Sequence, residues 1–195
     1  MAALHSFHLP PQDWGPPWRI AGAEARHMLR VLRLGVGDEV RVFDGAGREG
    51  LFRIKEATKV QVALEVLELR AVPEPAVRVS LAAGFAKSAR RGWLLEKAVE
   101  LGASGVVFWQ ADRSQGRVPD APKDSWRDKC LAAAKQCSAA RLPDLEVLPG
   151  GLEQLAEFSR RFDRVFVLWE SSDRGSLLLP EDFREPGQYL LVTGP

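Results

Sequence analysis

The feature that most constrains this chain is a change of rhythm across a short proline-bearing stretch, Ala71-Val72-Pro73-Glu74-Pro75-Ala76. Proline lacks the amide that a β-ladder needs, so the stretch reads as a linker. Before it, short segments alternate apolar and polar residues. Glu39-Val40-Arg41-Val42-Phe43 and Leu51-Phe52-Arg53-Ile54 flank the turn Asp44-Gly45-Ala46-Gly47, which predicts a hairpin. Val60 to Val66 alternates as a further strand, and Ala25, Met28, Leu29 and Leu32 fall at helical spacing within residues 22–33. One helix among several short strands predicts a small barrel.

After the linker the pattern becomes strand, helix, strand. Val77 to Ala83, Gly105 to Trp109, Leu145 to Leu148, Arg164 to Trp169 and Tyr189 to Thr193 read as strands. Trp93 to Leu101, Ser125 to about Ala139 and Leu152 to Phe158 read as helices. The first of these puts Leu94, Leu95, Ala98 and Leu101 on one side, with Gly102 placed to cap it. Pro143 ends the second. Such alternation predicts an α/β domain with a mainly parallel sheet covered by helices. Ligands of such sheets sit beyond the carboxyl ends of the strands. That directs attention to Gly84–Lys87, Gln110–Arg117, Glu170–Asp173 and Gly194-Pro195.

Several classes are disfavoured. No apolar run approaches the roughly 20 residues that span a bilayer, and the N-terminus lacks the basic-then-apolar order of a signal peptide. Cys130 and Cys137 lie seven apart on one helix, which suits two buried thiols in a reducing cytosol better than a disulfide. With three scattered histidines they make no metal-ligand spacing. The expectation is therefore a cytoplasmic protein with no membrane segment and no metal. The net charge of +1 hides an uneven distribution. Residues 87–141 hold 11 basic and 6 acidic residues, while residues 142–195 hold 5 and 10. A basic middle can attract phosphates, and it can equally be a solvated face. There is neither a G-x-G-x-x-G nor a Walker loop.

Specific residues then resemble a known family. His27-Met28-Leu29-Arg30-Val31-Leu32-Arg33 and Gly37 to Gly45 resemble the N-terminal domain of the ribosomal small-subunit RNA methyltransferase E family. Lys87, Leu95 to Gly102, Asp112-Arg113-Ser114, Lys135-Gln136-Cys137, Arg141-Leu142-Pro143 and Gly194-Pro195 resemble its catalytic domain, in the same order. The resemblance implies a PUA-like RNA-binding barrel over residues 1–72. It implies a SPOUT methyltransferase domain over residues 73–195, with a mainly parallel sheet, helices on both faces and a C-terminal trefoil knot. It further implies S-adenosyl-L-methionine as cofactor, N3 of a uridine in 16S ribosomal RNA as target, and a homodimer. Two departures stand out. Ala139 sits where the family usually has arginine, and the family continues past the Gly-Pro with more glycines and a final helix. The knot-forming segment is thus expected beyond Pro195.

The chemistry selects candidates. Methylating uridine N3 requires loss of its proton and stabilisation of charge on O2 and O4, which suits a guanidinium. Arg113 is the candidate, with a surface pairing to Asp112 or Asp120 as the plain alternative. Trp169, Glu170, Thr193, Gly194 and Pro195 end the strands that would line a cofactor pocket. On its own, Gly194 would pass for an ordinary turn glycine. Arg30, Arg33, Lys87, Arg91 and Arg141 are candidates for contacting 16S ribosomal RNA or the small subunit, Arg141 in place of the absent arginine. Glu100 suits an ion pair better than a general base. Phe108, Trp109 and Trp126 suit either a dimer patch or, more commonly, a core. Two other functions fit the same residues: a non-catalytic ribosomal RNA-binding protein, and an unrelated cytosolic α/β metabolic enzyme.

Overall fold

The computed structural model describes residues 4–169 and 177–194. The chain divides into two units, one of residues 1–74 with 131–142, the other of residues 75–130 with 143–195.

The first unit holds β1 (Ser6–His8), β2 (Arg19–Ala21), β3 (Glu39–Phe43), β4 (Arg48–Ala57) and β5 (Gln61–Ala71). They form one five-stranded sheet in the order β1-β3-β4-β5-β2. The expected hairpin is present, with Val40 opposite Phe52 and Val42 opposite Gly50. Its turn is closed by Asp44, whose carboxylate accepts hydrogen bonds from the amides of Ala46 (2.7 Å) and Arg48 (2.9 Å). The last strand runs to Ala71, five residues past the alternation seen in the sequence. Register shifts between β4 and β5 at Leu51/Phe52 and Ile54/Glu56 bend the pair, the usual effect of bulges. The sheet thereby closes over a core of Phe7, Ile20, Met28, Val40, Val42, Phe52, Ile54 and Val62, none more than 2% exposed.

The helix expected over residues 22–33 is shorter and irregular. Helix α1 (Gly22–Arg26) is followed by a π turn, His27–Val31. Ala25 and Met28 anchor it by full burial, while Arg26, His27, Arg30 and Arg33 face solvent. Arg33 has a left-handed backbone (φ 55°), which ends the turn.

The second unit is built on β6 (Val77–Gly84), β7 (Gly105–Trp109), β8 (Asp144–Leu148), β9 (Arg164–Leu168) and β10 (Gly187–Thr193). All neighbours are parallel, in the order β8-β7-β6-β10-β9. The near-continuous apolar run of β7 is the mark of a strand covered on both faces, and its first four residues are buried. The last strand in sequence lies between β6 and β9, not at an edge. Helices α2 (Ser88–Glu100) and α4 (Gly151–Ser159) and the first half of α3 (Asp124–Cys137) complete the α/β pattern; from residue 131 on, α3 is counted with the first unit. Helix α2 begins five residues earlier than its apolar spacing indicates, so Arg90 and Arg91 lie in its first turn.

Two expectations are corrected, and the choice left open for Phe108 and Trp126 falls to the core. Leu101 is 84% exposed, because it is the residue at which α2 ends and Gly102 (φ 73°) turns the chain away. Phe108 and Trp126 offer no surface patch. They are buried against each other, with ring centroids 4.9 Å apart. The cysteines differ. Cys130 is buried, whereas Cys137 ends α3 beyond its last buried residue, Ala134, and is exposed. Burial raises the Cys130 thiol pKa to about 11, with Arg127 pulling it the other way. Since the thiolate is the reactive form, a disulfide reagent at pH 8 is expected to modify one thiol per native chain and both after denaturation. Two fast thiols in the native protein would contradict this placement.

Candidate active site

The carboxyl ends of β7, β9 and β10 border a cavity of about 700 Å³. Trp109, Leu168, Trp169, Thr193 and Gly194 come from the strand ends, and Val165, Val167 and Val192 from the strands themselves. Leu152, Leu155, Ala156 and Ser159 come from α4, and Arg113 from the loop after β7. The cavity is thus apolar along its walls, and among the described residues Arg113 is the cation that borders it. The Trp109 indole donates to the Thr193 carbonyl (3.1 Å), which fixes one wall to the tip of β10.

Four of the expected residues, Arg113, Trp169, Thr193 and Gly194, line this cavity together. Glu170 and Pro195 lie outside the described residues. Arg113 is exposed and makes no ion pair with Asp112 or Asp120, so its forked donors are available to a ligand. Trp169 is 83% exposed and borders the cavity together with Leu152, Val167 and Leu168, so the exposed apolar residues here are contiguous rather than scattered. The sequence marks neither Trp109 nor the helix read over Leu152 to Phe158 as a cavity wall. The signal for α4 was present: Leu152 and Leu155 fall at helical spacing, yet Leu152 is 70% exposed and turned toward the cavity.

The RNA candidates separate into two groups. Arg30, Arg33 and Lys87 are exposed, and Arg30 and Arg33 have no acidic partner among the described residues. Arg91 and Arg141 are engaged elsewhere. Arg91 lies over the Phe85 ring, 4.3 Å from its centroid, and donates to the Ala86 carbonyl. Burial lowers its pKa from the ordinary arginine value. Arg141 donates to the carbonyls of Ala46 (2.8 Å) and Val72 (2.9 Å), holding the hairpin turn to the end of the sheet. Glycine is required at Gly47, where φ is 104° and a Cβ would land on the Arg141 guanidinium. Glu100 pairs with Lys97 (2.5 Å), which fits a structural role. No metal-binding cluster is present among the described residues, and no helix there is long and apolar enough to cross a membrane.

Comparison with known proteins agrees with this arrangement. Residues 73–195 match the model of an RNA methyltransferase domain, and residues 20–67 match that of an RNA methyltransferase PUA domain. A ribosomal RNA small subunit methyltransferase E of Bacillus subtilis is 26% identical over 193 residues, spanning 92% of this chain and 74% of the relative. A probable rRNA-methyltransferase of Porphyromonas gingivalis superposes with a TM-score of 0.79 at 28% identity, covering 98% of this chain and 80% of the other. The Neisseria gonorrhoeae small subunit methyltransferase E, solved bound to S-adenosyl methionine, shares the fold at 18% identity. Its TM-score is 0.75, over 99% of this chain and 80% of that one. A parallel sheet with an apolar cavity at its strand tips, a curled sheet before it and these matches lead to one assignment: the chain belongs to the RNA methyltransferase family.

Proposed function

We propose that this protein methylates N3 of a uridine in 16S ribosomal RNA with S-adenosyl-L-methionine, Arg113 stabilising the charge on the uracil oxygens. The observation that carries this reading is the convergence of Arg113, Trp169, Thr193 and Gly194 on one cavity of about 700 Å³. That volume lies within the roughly 300–1,000 Å³ of small-ligand pockets. The residues present fit the cofactor. Trp109 and Trp169 offer flat walls to an adenine, Leu155, Val167 and Val192 offer apolar ones, and Thr193 and Gly194 offer backbone groups.

The bound cofactor supplies a methyl group on a sulfonium, a leaving group that needs no proton. The protein's own work is therefore alignment and charge control. The uracil N3 proton leaves to solvent, and the resulting negative charge spreads onto O2 and O4. Arg113 stays protonated and can donate to one of these oxygens from the side of the ring, which leaves N3 open to the methyl. Arg30, Arg33 and Lys87 are read as contacts to RNA phosphates, which hold the substrate without reading its sequence. The target base must be unpaired or flipped, because A-form grooves hide base edges. The family relationship, the exposed Trp93 of α2 and the exposed Leu101 that caps it support a homodimer; light scattering giving a monomer mass would remove it.

The test is transfer of labelled methyl from S-adenosylmethionine to 16S ribosomal RNA, followed by digestion to nucleosides. Label is expected in 3-methyluridine. Label in another nucleoside would overturn the N3 assignment. Salt-dependent RNA binding with no label at all would favour the non-catalytic reading.

A further inference from the structure

The loop that carries Arg113 is held from behind by one side chain, Gln110. Its backbone amide donates to the Leu148 carbonyl (3.0 Å), so the residue is fixed as a continuation of β7. Its side-chain oxygen accepts from the Val118 amide (2.9 Å). Its side-chain nitrogen donates to the Gly116 carbonyl (3.3 Å) and lies 3.5 Å from that of Ala111. One amide therefore ties the first residue of the excursion to its last turn. Within the loop, Ala111 and Ser114 close a tight turn. The Ala111 amide donates to the Ser114 hydroxyl (2.9 Å), and the Ser114 amide to the Ala111 carbonyl (3.0 Å). The ends of the loop are anchored by Ala111 (6% exposed) and Val118 (1%), whereas Asp112, Arg113, Gln115, Gly116 and Arg117 face solvent.

We infer that Gln110 is a positioning residue for methyl transfer, setting where the Arg113 guanidinium sits at the cavity rim. The inference rests on the reading of Arg113 given above. Arg113 lies in a turn whose own side chains supply only the Ser114 bond; the turn takes its place from the Gln110 clamp together with the Gln115 amide, which donates to the Phe85 carbonyl (2.9 Å). Glutamine is suited to this because it accepts from one end of the loop and donates to the other; alanine does neither, and glutamate cannot donate. A displacement of about 1 Å at a charge-stabilising group can lower a rate by about 10²-fold.

Two measurements on the full chain test this. In methyl transfer to ribosomal RNA, Gln110→Ala is expected to lower kcat by about 10- to 100-fold with KM little changed. In an Arg113→Ala background, the same change is expected to add almost nothing, since both act through one group. In limited trypsin digestion, Gln110→Ala is expected to speed cleavage after Arg113 and Arg117 by about tenfold, as the freed loop opens more often. Wild-type cleavage rates in Gln110→Ala would overturn the clamp, whatever the activity. Loss of activity in Arg113→Ala but not in Gln110→Ala would overturn the positioning role and leave Arg113 in place. An equal fall in rate with and without Arg113 would reduce Gln110 to a general structural residue. Full activity in Arg113→Ala would overturn the reading of Arg113 itself.

Discussion

Arg113→Ala is expected to lower the rate of methyl transfer by about 10²- to 10³-fold, the usual cost of removing one donor from a developing oxyanion. The expectation follows from what surrounds the side chain. It borders the cavity at the strand tips, it is exposed, and no carboxylate among the described residues neutralises it. Arg113→Lys keeps the charge but loses the fork, so a smaller loss is expected. Binding of S-adenosylmethionine should change little in either variant, because the apolar walls come from other residues. Single-turnover kinetics would separate the two effects. Unchanged turnover in Arg113→Ala would mean that backbone groups alone carry the charge.

Arg141→Ala is expected to destabilise the protein by about 2–3 kcal/mol in urea unfolding, since charged hydrogen bonds are worth about 1.5–3 kcal/mol each and the bond to Ala46 lies in solvent, where it contributes little. The side chain satisfies two carbonyls at once, those of Ala46 and Val72. Its neighbours repeat the tie through the backbone: the Gly47 amide donates to Ala140 (3.0 Å) and the Leu142 amide to Gly45 (2.9 Å). Those backbone bonds would survive the substitution, which keeps the loss below the cost of opening the whole clip. RNA affinity should hold. A phosphate contact made by Arg141 would instead show as a fall of about 0.7–0.9 in the slope of log affinity against log salt.

Arg141 also marks where sequence reasoning stops. Its place near Pro143, and the alanine at position 139, suggested a cation free to touch RNA. What decides its role is the loop Gly45–Gly47, almost a hundred residues earlier, whose glycines leave room for the guanidinium. No local pattern encodes that meeting. The α/β order was legible because each strand and helix carries its own period, as Gly105–Trp109 and the apolar face of α4 illustrate. The π turn at His27–Val31 was not, since its apolar spacing matches an α-helix until the hydrogen bonds are seen. The candidate site was legible at the strand ends, where topology alone directs attention. It was illegible at Leu152 and Trp109, whose apolar side chains read as core. Gln110 opens a stretch that topology singled out, yet its role was illegible: a glutamine after a strand has no signature, and only its three partners in residues 111–118 reveal the clamp.

The proposed receptor for S-adenosylmethionine is the cavity between β9, β10 and α4. Titration calorimetry on the protein and on Ala156→Trp tests it most directly. Ala156 lines the cavity from an exposed helix position, so an indole there fills space at a helix-propensity cost of only about 0.5 kcal/mol. The account expects binding by the unaltered protein and a loss of about tenfold or more in the variant, with the unfolding midpoint nearly unchanged. Equal affinity in the two proteins, or no heat of binding in either, would contradict it.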